Sequence, residues 1–95
     1  MNIKTVDTKA LKYAERVQIV VDEYESGSLY IGLYTMDGDL YTDITTNLAG
    51  SSHEFAYVEI GSEAERFISE QGFAVKTDLV KRSGFNSYRL YHFAV

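Results

Sequence analysis

Cysteine and proline are both absent from this chain of 95 residues. Without cysteine there is no disulfide framework, no thiolate metal site and no thiol nucleophile, which fits a reducing compartment. Without proline, of which a chain this long ordinarily carries about five, no stiff linker is signalled and no break divides the sequence. Cationic charge is scarce as well. Lys and Arg number 9 against 14 Asp and Glu, leaving a net charge of −5. A surface of that sign is not drawn as a whole to nucleic-acid phosphates. Its plain reading is solubility; its sharper reading is an acidic face that meets a basic partner. Long apolar runs are missing too. Nothing approaches the roughly 20 residues of a membrane span, and no charged stretch leads into an apolar one at the start. The expectation is one domain over residues 1–95, cytoplasmic, with no membrane partner.

What is present is a period-two pattern. The chain is 45% hydrophobic, enough for a modest core that buries roughly two-thirds of the unfolded surface. Residues 1–16 are the least patterned. Asp7 or Thr8 offers a cap for a short helix through Ala10, Leu11 and Ala14. The few apolar anchors leave a flexible segment, or extended structure over residues 2–6, as alternatives. Residues 17–24 are β-branched and read as a strand. Residues 29–35 alternate Leu29, Ile31 and Leu33 against Tyr30, Gly32 and Tyr34. Asp37-Gly38 then predicts a two-residue type I′ hairpin into a strand over residues 39–47. That turn sets Tyr34 opposite Tyr41, Gly32 opposite Asp43 and Tyr30 opposite Thr45, with Leu33, Thr42, Ile31 and Ile44 on the other face. For the preceding hairpin, Val21 beside Ile31 and Ile19 beside Leu33 is preferred, because the other register buries Asp22 beside Ile31.

Residues 53–60 read as a fourth strand. After it, Ser62 and Glu65 form a capping box, Phe67 and Ile68 share the inward helical face, and Gly72 stands where a left-handed stop belongs, followed by Phe73. Residues 74–80 read as extended or irregular, and Lys81-Arg82-Ser83-Gly84 as a basic turn. Residues 85–93 form the last strand, with Tyr88, Leu90 and His92 on one face and Arg89, Tyr91 and Phe93 on the other. The order β-β-β-β-α-β gives an α+β fold: an antiparallel sheet of about five strands with one main helix packed on one face.

In order and spacing, several of these features resemble a known family. They are Arg16-Val17 leading into a valine-rich strand, Gly27, Leu29 and Ile31 of the first hairpin, and Thr46-Asn47-Leu48. They continue with Ala64-Glu65, Phe67-Ile68, Gly72, and Arg82-Ser83-Gly84-Phe85 ending in Tyr88, Leu90, Tyr91 and Phe93. From about Glu15 to Phe93 the chain resembles the family catalogued as domain of unknown function 4313, small proteins of Firmicutes and their phages and conjugative elements. The resemblance implies a mobile-element or phage setting and no activity. Two family features are missing. Asn-Asn and Pro-Trp before the helix are replaced by Glu59-Ile60-Gly61-Ser62-Glu63, and Cys and Pro in the last strand by Asn86, Ser87 and Arg89. No role of those family residues carries over.

Chemistry-bearing constellations are sparse. Ser83, His53 or His92, and Asp43 are the types of a hydrolytic triad, but no Gly-x-Ser-x-Gly elbow marks them. Asp37, Asp39 and Asp43 lack the spacing and terminal Glu of a calcium loop, and the glycines form no phosphate-binding fingerprint. The reading is of no catalytic residues, no metal and no cofactor: not an enzyme. The best candidate surface is the tyrosine side of the central hairpin, where Tyr30, Tyr34, Tyr41 and Asp43 suit protein recognition. It is open if the helix takes the other face, and closed if the helix or the N-terminal segment lies on it. The partner is then an unidentified protein or a second copy of the chain. The alternatives are a nucleic-acid binder using Lys81, Arg82 and Arg89 beside Phe85 and Tyr88, against which the overall charge weighs, or an acidic inhibitor of a host defence protein.

Overall fold

The β-branched run after Glu15 does form a strand, and its neighbours pair with it on both sides. The computed structural model describes residues 2–94. In chain order its elements are β1 (Asn2–Asp7), β2 (Arg16–Glu23), β3 (Leu29–Tyr34), β4 (Leu40–Asp43), β5 (Phe55–Glu59), α1 (Glu63–Gln71), β6 (Ala74–Ser83) and β7 (Asn86–Phe93). All pairings are antiparallel, so the α+β class holds. The single five-stranded sheet is corrected to two: four strands in the order β1-β2-β3-β4, and three in the order β5-β7-β6. One isolated bridge, Thr46 to Tyr57, links them.

β1 and β6 are the strands beyond the expected set. β1 lies along β2 with Val6 opposite Val17. No helix forms in residues 8–15, which make a strap back to β2. Leu11 is buried in the core, and α1 carboxylates take the strap's N–H groups. Glu70 accepts from Lys9 N–H at 2.7 Å and from the Thr8 hydroxyl at 2.6 Å, and Glu63 accepts from Lys12 N–H. With those donors satisfied from outside, a one-turn helix has nothing to offset its nucleation cost. β6 runs on to Ser83, so the basic segment is strand rather than turn. Its alternation was hidden by extra residues, since Lys76 faces Tyr91 and Val80 already faces Arg89. The turn itself is Gly84-Phe85, between the paired Ser83 and Asn86. Gly84 has φ of 63° and Phe85 is not left-handed, the order a II′ hairpin requires.

The helix follows its sequence signals. Ser62 caps it, accepting from Glu65 N–H at 3.2 Å, and Glu65 reaches back to Gly61 N–H at 3.0 Å. Gly72 ends it in the left-handed region at φ 72°, and its N–H bonds Ile68. Ala64, Phe67 and Ile68 are buried against the inner faces of both sheets. One core results, with Val17, Ile19, Ile31 and Leu33 from the first sheet and Ala56, Val58, Tyr91 and Phe93 from the second. Placing α1 there leaves the outer face of the first sheet with no element over it among the described residues. No helix among the described residues is long and apolar enough to cross a membrane.

Candidate functional site

On β2 and β3 the preferred register is observed: Ile19 faces Leu33 and Val21 faces Ile31. This turns Tyr30, Gly32 and Tyr34 outward, beside Asp22, Val20 and Gln18. Tyr30 does not stand up from the sheet. Its ring lies along the strand over Gly32, so close that a β-carbon on Gly32 would sit 2.1 Å from the phenol oxygen. The glycine is therefore a notch that the tyrosine fills. From there the Tyr30 hydroxyl donates to Asp43 Oδ1 at 2.8 Å and lies 3.1 Å from the Tyr34 hydroxyl, which donates back to it. Tyr24 closes the end of the row, edge-on to Tyr30 at 5.4 Å, with its own hydroxyl on the Thr45 carbonyl at 3.1 Å. Burial, and then the bonds to Tyr34 and Asp43, push the Tyr30 phenol well above its ordinary pKa. The result is a pre-ordered aromatic patch with a carboxylate at its edge.

Tyr41 is not part of it, which corrects the shared-face expectation. The hairpin turn is a three-residue loop rather than type I′. Gly38 N–H bonds the Thr35 carbonyl at 3.0 Å, and no non-glycine residue has positive φ. Tyr34 consequently faces Leu40, yet Leu33 still faces Thr42 and Gly32 still faces Asp43. The strands reconcile these by leaving Tyr41 as a bulge, and one extra residue turns a side chain to the other face. Tyr41 packs on the core, donates to Glu63 Oε1 at 3.1 Å and accepts from Tyr13 N–H at 3.2 Å.

The region from β2 onward also decides the relationship to known proteins. A family model described as "Domain of unknown function (DUF4313)" matches residues 18–95. The chain belongs to the DUF4313 family. No curated protein and no solved structure matches it. In this DUF4313 chain the matched region holds all of the tyrosine patch and both strands of the basic hairpin, while β1 and the strap precede it.

The basic residues of the DUF4313 chain are divided. Lys81 faces Tyr88 across the ladder, whereas Arg82 and Arg89 alternate to the other side. Lys81 Nζ donates to the Ala49 carbonyl at 2.8 Å and sits 5.9 Å from the Tyr57 ring centre, pinning the 46–53 loop. Arg89 donates to the Thr77 carbonyl at 2.8 Å and so holds the β6 bulge closed. Arg82 alone of the three has no side-chain partner among the described residues. Ser83, His92 and Asp43 are also dispersed. Ser83 is at the hairpin turn, His92 near the far end of β7 opposite Phe55, and Asp43 in the other sheet. Both His53 and His92 instead face Glu54, each at 3.8 Å.

Sequence reasoning missed Tyr24, the notch role of Gly32, and the tip position of Phe85. Gly32 between two same-face tyrosines was the available signal, because a glycine inside a strand marks a close approach. For Phe85 the signal was Ser-Gly-Phe-Asn, which reads as a two-residue turn once glycine is placed first.

Proposed function

We propose that this chain is a non-enzymatic protein-binding module. Its working surface is the outer face of the first sheet, centred on Tyr30, Tyr34 and Asp43. One observation carries the reading: the patch is ordered in advance by Gly32 and Asp43, on a face with no element packed over it. A fixed tyrosine contributes contact area at low entropic cost. The charge of the face names the partner's chemistry. Asp43 and Asp22 have no ion pair among the described residues, and the one cation on that side, Arg16, is tied to Asp7 at 2.7 Å. The complement is a protein surface that presents arginine or lysine with an apolar or aromatic neighbour, so that the cation meets both a carboxylate and a tyrosine ring. The resemblance to proteins of phages and conjugative elements supports a role as a small cytoplasmic accessory protein of a mobile element.

The nucleic-acid alternative has less support, because Lys81 and Arg89 are spent on internal carbonyls. The test is capture on the tagged chain, at low and moderate salt, from host extract to which the untagged chain has been added, comparing the wild type with Tyr34→Ala and Asp43→Ala. A specific partner should be lost from both variants and weakened by salt. Equal capture by all three proteins rejects the reading.

A further inference from the structure

The other unexplained surface is the tip of the β6–β7 hairpin. Phe85 is 98% exposed, so its ring has almost no cover from the described residues. The turn requires glycine at its first position but makes no demand for an aromatic at the second. The tip is held by the pairs Ser83–Asn86, Arg82–Ser87 and Lys81–Tyr88, so the ring is presented on a stiff ribbon rather than a loose loop. Beside it, Arg82 is the unpaired cation noted above, and Val80 and Leu79 extend the exposed apolar surface along β6.

Charge is distributed to match. From residue 74 onward the chain carries Lys76, Lys81, Arg82 and Arg89 against Asp78 alone. The other thirteen carboxylates, with only five cations, precede it. One end of the sequence is therefore cationic with a projecting phenylalanine. The outer face of the first sheet is anionic with fixed tyrosines. These are the partner chemistry and the site inferred above, carried on one chain.

We propose that the occupant of the tyrosine face is a second copy of this chain: Phe85 and Arg82 of one molecule dock on Tyr30, Tyr34 and Asp43 of the next. This rests on the binding-face reading and adds the identity of the partner. Phe85 stacks against the tyrosine rings in an offset or edge-on arrangement, and Arg82 pairs with Asp43. The two surfaces differ, so the contact is heterologous, and its repetition builds rows or rings rather than a closed two-fold dimer.

Sedimentation velocity over a concentration series tests this. The wild type should gain mass with concentration at low salt and lose it at high salt. Phe85→Ser should weaken the association about tenfold or more, as loss of a central aromatic contact does, and full exposure of Phe85 means the fold is not at stake. The decisive arm mixes two variants. Arg82→Ser/Phe85→Ser keeps the face, and Tyr34→Ser/Asp43→Asn keeps the hairpin. Each should be monomeric alone, and an equimolar mixture should form a one-to-one heterodimer and nothing larger.

A wild type that stays monomeric at every concentration overturns the proposal. So does association indifferent to Phe85→Ser, or a mixture that stays monomeric. If the chain is monomeric but retains a single-stranded oligonucleotide through Arg82 and Phe85, the hairpin is a nucleic-acid contact and the proposal is wrong. A monomeric chain whose partner capture still depends on Tyr34 and Asp43 sinks the second-copy inference alone. Capture indifferent to both residues sinks the binding face.

Discussion

Gly32→Ala separates the site from the fold. The backbone at Gly32 is not left-handed, so alanine brings no conformational strain there. Its β-carbon, however, would lie 2.1 Å from Tyr30 Oη and 2.7 Å from Cζ, well inside contact distance. The atoms in the way are the far end of a side chain, so the ring swings off the notch and the strand stays. What is lost is the bonds to Asp43 and Tyr34, at about 1 kcal/mol each, and the edge contact with Tyr24, about 0.5 kcal/mol. Against this, alanine restricts the unfolded chain and returns about 0.4–1 kcal/mol. The net is a destabilisation of about 1.5–2 kcal/mol, or roughly 6–16 °C in Tm.

The local effect is larger than the global one. Freed from burial and from its partners, the Tyr30 phenol should fall back toward its ordinary pKa of about 10. Urea denaturation gives the first number. Tyrosinate absorbance on raising pH gives the second, with Tyr30→Phe identifying the signal. A loss above about 3 kcal/mol, the scale of core truncation, would mean that the sheet itself cannot accommodate the methyl. An unchanged Tyr30 titration would mean that the ring does not depend on the notch. Either result refutes the argument.

Tyr91 is pushed up to about 12 by burial first and then by its 2.9 Å bond to Glu65. Its neutral form is favoured in the fold, so its contribution is complete below about pH 10 and lost as pH rises toward 12. Wild type should therefore lose more urea stability across that interval than Tyr91→Phe does. The Glu70 carboxyl is held below its usual range by the Thr8 hydroxyl and Lys9 N–H. The strap's fastening is thus present above about pH 4.3 and lost as pH falls through the lowered value, and the protection of Lys9 N–H against hydrogen exchange, taken relative to its intrinsic rate at each pH, should fall there in wild type and be low at all pH values in Glu70→Gln. Ser62→Ala should cost about 1 kcal/mol in urea denaturation, and Ser62→Asp should recover most of it.

The sequence was legible where a single wrong step carried a large cost. Burying Asp22 beside Ile31 was enough to choose the β2–β3 register. Ser62 and Gly72 each satisfy an orphan group of α1 and Glu65 holds the Gly61 N–H just ahead of the cap, so three independent signals agreed on one helix. Legibility failed where two local solutions cost nearly the same. Asp37-Gly38 fits a two-residue turn and equally a three-residue loop with Gly38 left-handed, and only the bulge at Tyr41 shows which was taken. β6 was hidden because residues 77–79 break its alternation, and because Val75, Leu79 and Val80 are exposed rather than core. At the site, the face of Tyr30 and Tyr34 followed from period two. The position of the Tyr30 ring over Gly32 depends on a rotamer, which no periodicity encodes.

The bulge has a consequence for function as well as register. It leaves two tyrosine–carboxylate pairs on opposite sides of one ladder: Tyr41 with Glu63 inside, Tyr30 with Asp43 outside. The chemistry is the same and only the cover differs. Glu63 also accepts from Lys12 N–H and Tyr41 from Tyr13 N–H, so the inner pair fastens strap, helix and sheet together and has its capacity filled within the chain. Asp43 is exposed and takes one tyrosine hydroxyl. Changing one tyrosine on each side of the ladder should then separate stability from capture. Tyr41→Phe strands part of a fastened network, costing about 1 kcal/mol, and leaves partner capture unchanged. Tyr34→Ala removes contact area and the bond to the Tyr30 hydroxyl from an open face, costing a similar amount of about 1 kcal/mol, but abolishes capture. If Tyr41→Phe impairs capture as much as Tyr34→Ala does, the inner tyrosine belongs to the binding surface, and the division drawn by the bulge is wrong.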